Sequence, residues 1–336
     1  DWTHKQNKNM IKSPFEKSVV AGNINLFSVI EIFEQIPAKG ELMSLTCAFL
    51  WSVSVMFFRK AGERIPAFTL NFFKNSMVLL LFLPTAFFMG QLYLPENLLP
   101  RDWYILMISG IIGICLADYL FFKALNLLGA GRNAIVGCSY CLFVILFSFF
   151  LLGEIPSWVH FVGAGLVILG IVLASLGSSG VSTSGTDLTL GILLGVLSMA
   201  FTAFGVILVK PLMSETGPSM PVVQVAVVRL ASGLAGSFFF LCVTGRVRTT
   251  IGALRQDFPW QPFLIASFVG GYLAMFIWLG GYKYADASIA SVLNQTSTLF
   301  TVLLAAVFLK ERLTPGKCFG ALIAFAGVGI IFLLVP

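Results

Sequence analysis

Leu151-Leu152-Gly153-Glu154 and Phe308-Leu309-Lys310-Glu311 each close an apolar stretch, and each is followed by a glycine-spaced apolar run. The offset between them, about 157 positions, carries through the surrounding chain and marks an internal duplication. At that offset Gly113 meets Gly270, Ala130 meets Ala287, and Leu142-Phe143 meets Leu299-Phe300. Glu154 meets Glu311, Gly163-Ala164 meets Gly320-Ala321, and Gly170 meets Gly327. Two hydrophobic copies in one chain describe a duplicated membrane protein. Such duplication is a common way to build a path between pseudo-symmetric halves.

Composition narrows the function classes. The chain is 58% hydrophobic and 11% charged, with a mean hydropathy of +0.94. A soluble domain carries about a quarter charged residues, so this chain could not cover a water-facing surface. The net charge of +6 does not indicate nucleic acid, because the basic residues sit between apolar runs and form no basic-aromatic module. Cys47, Cys115, Cys138, Cys141, Cys242 and Cys318 lie in or beside apolar runs and read as small packing thiols. The Cys138-Ser139-Tyr140-Cys141 spacing lacks the accessible, electropositive setting that redox or metal chemistry needs.

A bilayer core of about 30 Å takes about 20 helical residues to cross. Apolar runs fall near 42–58, 67–89, 103–123, 131–152, 158–176, 189–210, 221–243, 261–284, 287–309 and 317–335. Backbone groups in lipid must be paired within the segment, and the period-two alternation of a barrel is absent, so these runs read as helices. The expected fold is an all-α integral membrane protein with ten transmembrane helices. Residues 1–40 form a polar, amphipathic tail; 41–176 and 189–336 are the two five-helix copies; 177–188 is a serine- and glycine-rich linker. Because five is odd, the second copy enters from the opposite side, and the repeats are inverted.

These features resemble the EamA-type transporters of the drug/metabolite transporter superfamily. The resemblance covers about residues 41–335. It rests on Leu152-Gly153-Glu154 with Gly163, Gly165 and Gly170, on Leu309-Lys310-Glu311 with Gly320, Gly327 and Gly329, on the tryptophan of Ala48-Phe49-Leu50-Trp51, and on one basic residue in the second and seventh runs, Lys74 and Arg229. The second copy lacks a tryptophan near Ala203. The resemblance implies a carrier of small metabolites, a class that includes amino acids, nucleotide sugars and drugs.

Ionisable groups inside apolar runs are the sharpest functional signal, since insertion scales charge about 2.5–3.5 kcal/mol for them at a helix centre. Lys74, Arg229 and Asp118 qualify. Lys74 and Arg229 are expected to line the central path and attract an anionic group. Asp118 could pair with Lys74 or take up a proton in coupling. The competing reading is a charge pair that locks helices together. Trp51, Tyr140, Trp278 and Tyr282 could line a cavity, or simply pack. Asn294 and Gln295 need partners and suggest a bundle-facing surface. Glu154 and Glu311 are expected to cap the start of the following helix.

No Walker A run, HExxH pattern or acid–base–nucleophile set is present. The chain is therefore expected to be no enzyme, to need no cofactor or metal, and to act as a secondary transporter by alternating access. An exporter of amino acids or related metabolites is favoured; a membrane-embedded enzyme or a non-transporting membrane protein is the alternative. Expected partners are a small-molecule substrate and membrane lipids, with no nucleic acid, and a homodimer is left open. The expected setting is the bacterial inner membrane. Orientation divides the signals. Arg59, Lys60, Arg64, Lys123, Arg132, Arg246, Arg248, Arg255, Lys310, Arg312 and Lys317 outweigh Arg101, Lys210 and Lys283 on the other side, which puts both termini outside the cytoplasm. The resemblance implies both termini inside. Either way the two termini share a side.

Overall fold

A computed structural model describes residues 38–92, 98–153, 155, 157–176, 185–214, 218–255, 258–311 and 313–334. The tail over 1–37, Glu154, most of the linker and Arg312 lie outside them. The described residues are helical throughout, with no strand.

Ten long helices stand among the described residues. The first five are α1 (Lys39–Gly62), α2 (Ala67–Phe88), α3 (Pro100–Leu128), α4 (Ala130–Leu152) and α5 (Trp158–Leu176). The rest are α6 (Gly185–Met213), α7 (Val222–Val243), α8 (Trp260–Tyr284), α9 (Ala287–Asn294 continued by Ser297–Phe308) and α10 (Pro315–Leu334). A short helix, Val247–Gly252, joins α7 to α8. Among the described residues, eight helices are long and apolar enough to cross a membrane: α1–α4 and α6–α9. The boundaries follow local chemistry. Pro66 and Pro221 precede the first residues of α2 and α7, where a missing N–H costs nothing. Gly129, at φ +78°, ends α3 and starts α4.

The two halves share irregularities that the apolar pattern does not reveal. α3 widens into a π-helix over Ile111–Leu116 and α8 does so over Ser267–Ala274. α4 breaks at Cys138, and α9 breaks at Gln295-Thr296. A π-turn misaligns backbone groups, so their partners must come from elsewhere. Asn71 of α2 supplies them in the first half, donating Nδ2–H to the carbonyls of Ile114 and Cys115 at 3.2 and 3.0 Å. Asn75 donates in turn to the Asn71 Oδ1 at 2.8 Å. In the second half the Ser54 hydroxyl donates to the Ala266 carbonyl at 2.9 Å, beside the π-segment.

α5 and α10 pack on one another through glycines. A Cβ on Gly170 would lie 2.5 Å from the Gly320 carbonyl oxygen, and one on Gly327 would lie 2.6 Å from that of Gly163. Only glycine allows this approach. The reciprocity of the four positions is that of a two-fold contact within one chain.

Candidate functional site

One cavity of about 190 Å³ opens inside the bundle, and its wall draws on all eight helices α1–α4 and α6–α9. Its polar wall includes Lys74 and Asn75 from α2, Asp118 from α3, Asn133 from α4, Thr202 from α6 and Arg229 from α7. α9 adds Asn294, Gln295, Ser297, Thr298 and Thr301 around its break. Trp51, Phe121, Tyr140, Met199, Met275 and Trp278 supply apolar and aromatic wall. The breaks of α4 and α9 meet there. The Thr298 hydroxyl donates to the Ala134 carbonyl at 3.1 Å and lies 3.2 Å from the Cys138 Sγ.

Of the nine residues nominated from the sequence, the structure brings eight to this wall: Lys74, Arg229, Trp51, Tyr140, Trp278, Asn294, Gln295 and Asp118. Tyr282 is not on it. Its ring is fully buried, and its hydroxyl is 2.6 Å from that of Tyr140. Its ring also packs edge-on against Trp278, so it holds two wall aromatics from behind.

The two basic residues have different environments. Lys74 forms an ion pair with Asp118, and its ammonium lies 5.7 Å from the Phe122 ring centre. Arg229 is 1% exposed and belongs to no ion pair among the described residues. Its Nε and Nη1 are buried without a hydrogen-bond partner. The guanidinium carbon stands 5.8 Å from the Trp278 ring centre.

Glycines make room for that guanidinium. A Cβ on Gly113 would lie 3.0 Å from the Arg229 Nη2, and one on Gly205 would lie 3.3 Å from it. Gly110 of α3 lies directly against the Arg229 backbone and the Ser232 hydroxyl of α7, where no side chain fits. The π-segment of α3 and the glycines of α3 and α6 thus form the niche into which α7 extends its arginine.

Glu311 sits elsewhere and does something the sequence reading missed. It caps a helix, but not the next one. Its Oε1 accepts the Ala130 N–H at 2.7 Å, and its Oε2 accepts the Gly131 N–H at 3.2 Å, at the start of α4 in the other half. Lys317 pairs with the same carboxylate at 3.1 Å and is 2% exposed. Two N-terminal donors, the positive end of a helix and an ammonium all converge on this carboxylate. Glu154 lies outside the described residues. The element Gly153–Lys310 also gains a reason. Gly153 has φ +74°, and Lys310, its counterpart, has φ +53°, a conformation that suits glycine.

Comparison with known proteins gives the family. The EamA-like transporter family matches over residues 38–176 and again over 189–333. This chain belongs to the EamA-like transporter family. It is thus an EamA-type member of the drug/metabolite transporter superfamily and a multi-pass integral membrane protein of transporter type. An uncharacterized transporter of Archaeoglobus fulgidus is 25% identical over 301 residues, covering 88% of this chain and 98% of that protein. Protein PecM of Dickeya dadantii is 26% identical over 249 residues, covering 71% and 77% respectively. A solved crystal structure, 17% identical, superposes with a TM-score of 0.61 over 89% of this chain and 98% of its own, a likeness of fold.

Proposed function

We propose that this protein is a secondary transporter, and not an enzyme, that exports small metabolites such as amino acids or related compounds across a bacterial inner membrane. In this reading α1–α10 are ten spans arranged as two inverted five-helix repeats. The cavity between them is the substrate site and opens to each side in turn. The observation that carries the proposal is the cavity itself: eight of the ten helices, α1–α4 and α6–α9, contribute to its wall, and it holds a buried cation with no ion-pair partner among the described residues. An intramembrane charge is costly to keep, so such a residue marks a substrate path by default. Arg229 is the primary anchor for an anionic group. Lys74 is the secondary one, reached when Asp118 lets go. Trp51, Tyr140 and Trp278 receive the apolar part, Asn294 and Gln295 the polar edge, and Tyr282 fixes Tyr140. Asp118 is the group proposed to take up a proton when its pair with Lys74 opens.

The test is solute flux with nothing else present. Proteoliposomes holding only the purified chain are loaded with a metabolite mixture, and efflux is followed by mass spectrometry against protein-free vesicles. Selective loss of a few solutes supports the proposal; identical retention of every solute in the two preparations would sink it.

A further inference from the structure

The charges on the cavity wall do not balance. Two cations, Lys74 and Arg229, and one carboxylate, Asp118, line it. Asp118 is already committed to Lys74. Arg229 therefore leaves one positive charge unanswered in a site whose wall is otherwise neutral. A buried cation is tolerated when an anion, a water-filled space or a carboxylate answers it. Among the described residues the wall offers no second carboxylate, and the Arg229 guanidinium, a group suited to an oxyanion, keeps its Nε and Nη1 without a hydrogen-bond partner.

The same inventory bears on what a substrate cannot carry. A free amino acid brings an ammonium along with its carboxylate. Leaving water without an opposite charge costs an ammonium several kcal/mol. The one acid on the wall is occupied, and freeing it would strand Lys74. What the wall does offer is neutral acceptance. The Asn75 Oδ1 and the Asn294 Oδ1 are buried and have no hydrogen-bond partner. Amide oxygens of this kind accept an N–H or O–H well, and they do not neutralise a charge.

We infer that the site selects apolar monocarboxylates of net charge −1 that carry a neutral hydrogen-bond donor, such as N-acylated amino acids or 2-hydroxy acids with an apolar side group, over the zwitterionic amino acids themselves. The inference rests on the proposed transport reading and narrows it. The carboxylate sits on Arg229 in its glycine niche, the neutral N–H or O–H meets an asparagine oxygen, and the apolar group lies among Trp51, Phe121 and Trp278. The Lys74–Asp118 pair is closed while this monoanion is bound, opening only at the proposed proton-uptake step, and so keeps the remainder of the wall neutral. A bound monoanion then makes the whole site neutral, which is the cheapest state in which to cross a low-dielectric path.

A charge series on one side group tests this. N-acetyl-L-phenylalanine (−1), L-phenylalanine (net 0) and L-phenylalanine methyl ester (+1) are titrated calorimetrically into the detergent-purified full chain. The expected order is anion, zwitterion, cation, with the anion at least tenfold tighter than the zwitterion. Arg229→Gln should weaken the anion at least tenfold and leave the zwitterion nearly unchanged, whereas Arg229→Lys should recover part of the loss. The wild-type series needs no variant to fold. Equal or tighter binding of L-phenylalanine or its ester overturns the inference, and so does failure of all three to bind. The two readings separate in vesicles. Arg229-dependent flux of zwitterions alone would leave transport standing and remove the charge rule. Selective binding of the anion with no flux of any solute would do the reverse.

Discussion

Replacing Glu311 by alanine is expected to be the most destabilising single change outside the cavity. The carboxylate makes two bonds to the first N–H groups of α4 and one to Lys317. Loss of an N-cap alone costs about 0.5–2 kcal/mol. The larger part comes from Lys317, which is 2% exposed and would be left as an unanswered buried charge. Removing one partner of a buried pair typically costs about 3–5 kcal/mol. The two contributions overlap, so about 4 kcal/mol is expected for Glu311→Ala. Lys317→Met should cost less, because Glu311 keeps its two backbone donors. The double variant should be more stable than Glu311→Ala alone, with a coupling of about 2–3 kcal/mol. Equilibrium unfolding in mixed micelles, followed by tryptophan fluorescence, gives all four corners of the cycle. Additive single effects, or a Glu311→Ala cost under about 1 kcal/mol, would refute the reasoning that the pair is desolvated and mutually dependent.

Other outcomes follow from the same geometry. Asp118→Asn should reduce protein accumulation in the membrane by leaving Lys74 without its carboxylate, and Lys74→Met combined with Asp118→Leu should restore it; quantitative immunoblotting of membranes reads both. If Asp118 is the proton site, Asp118→Asn in the fraction that does insert should also lose acceleration of flux by a pH gradient. Gly205→Ala sets a methyl 3.1 Å from the Gly113 Cα and 3.3 Å from the Arg229 Nη2, so it should cost about 1–3 kcal/mol of stability by overpacking and weaken anion binding in calorimetry. Lys310→Gly should raise stability by about 1 kcal/mol in the same unfolding assay, because it removes a side chain from a residue at φ +53°.

Much of the fold was legible because lipid leaves few options. Apolar runs of span length without barrel alternation read as helices, and every run read from the sequence is mainly helical over its described residues. The wall residues were legible for the same reason: a lysine, an arginine, an aspartate and two amides stand out where charge and unpaired polarity are penalised. What stayed hidden depends on packing rather than composition. The π-segments leave no periodicity signature, although Asn71 and Asn75, four residues apart in α2, are the trace of one. A search for buried amides facing each other across helices would have found them. Tyr282 could not be told from Tyr140 by sequence, because which of two bonded tyrosines meets the cavity depends on the rotation of α4 and α8. The Glu311 cap was assigned to the wrong helix because a sequence shows neighbours along the chain, whereas the donors belong to α4, far away in it. Lys317 and Arg132 also entered the loop-charge comparison, yet both are buried.

The central claim is that the cavity opens to the two sides of the membrane alternately. Thr202 lies on its wall at α6. Thr202→Cys, in a chain with its six native cysteines replaced by serine or alanine, can be labelled in right-side-out and inside-out vesicles with a membrane-impermeant thiol reagent. The account predicts labelling from both sides, slowed on both by a bound substrate, with conditions that raise reactivity on one side lowering it on the other. Reactivity from one side alone under every condition, or simultaneous reactivity from both that substrate does not alter, would contradict it.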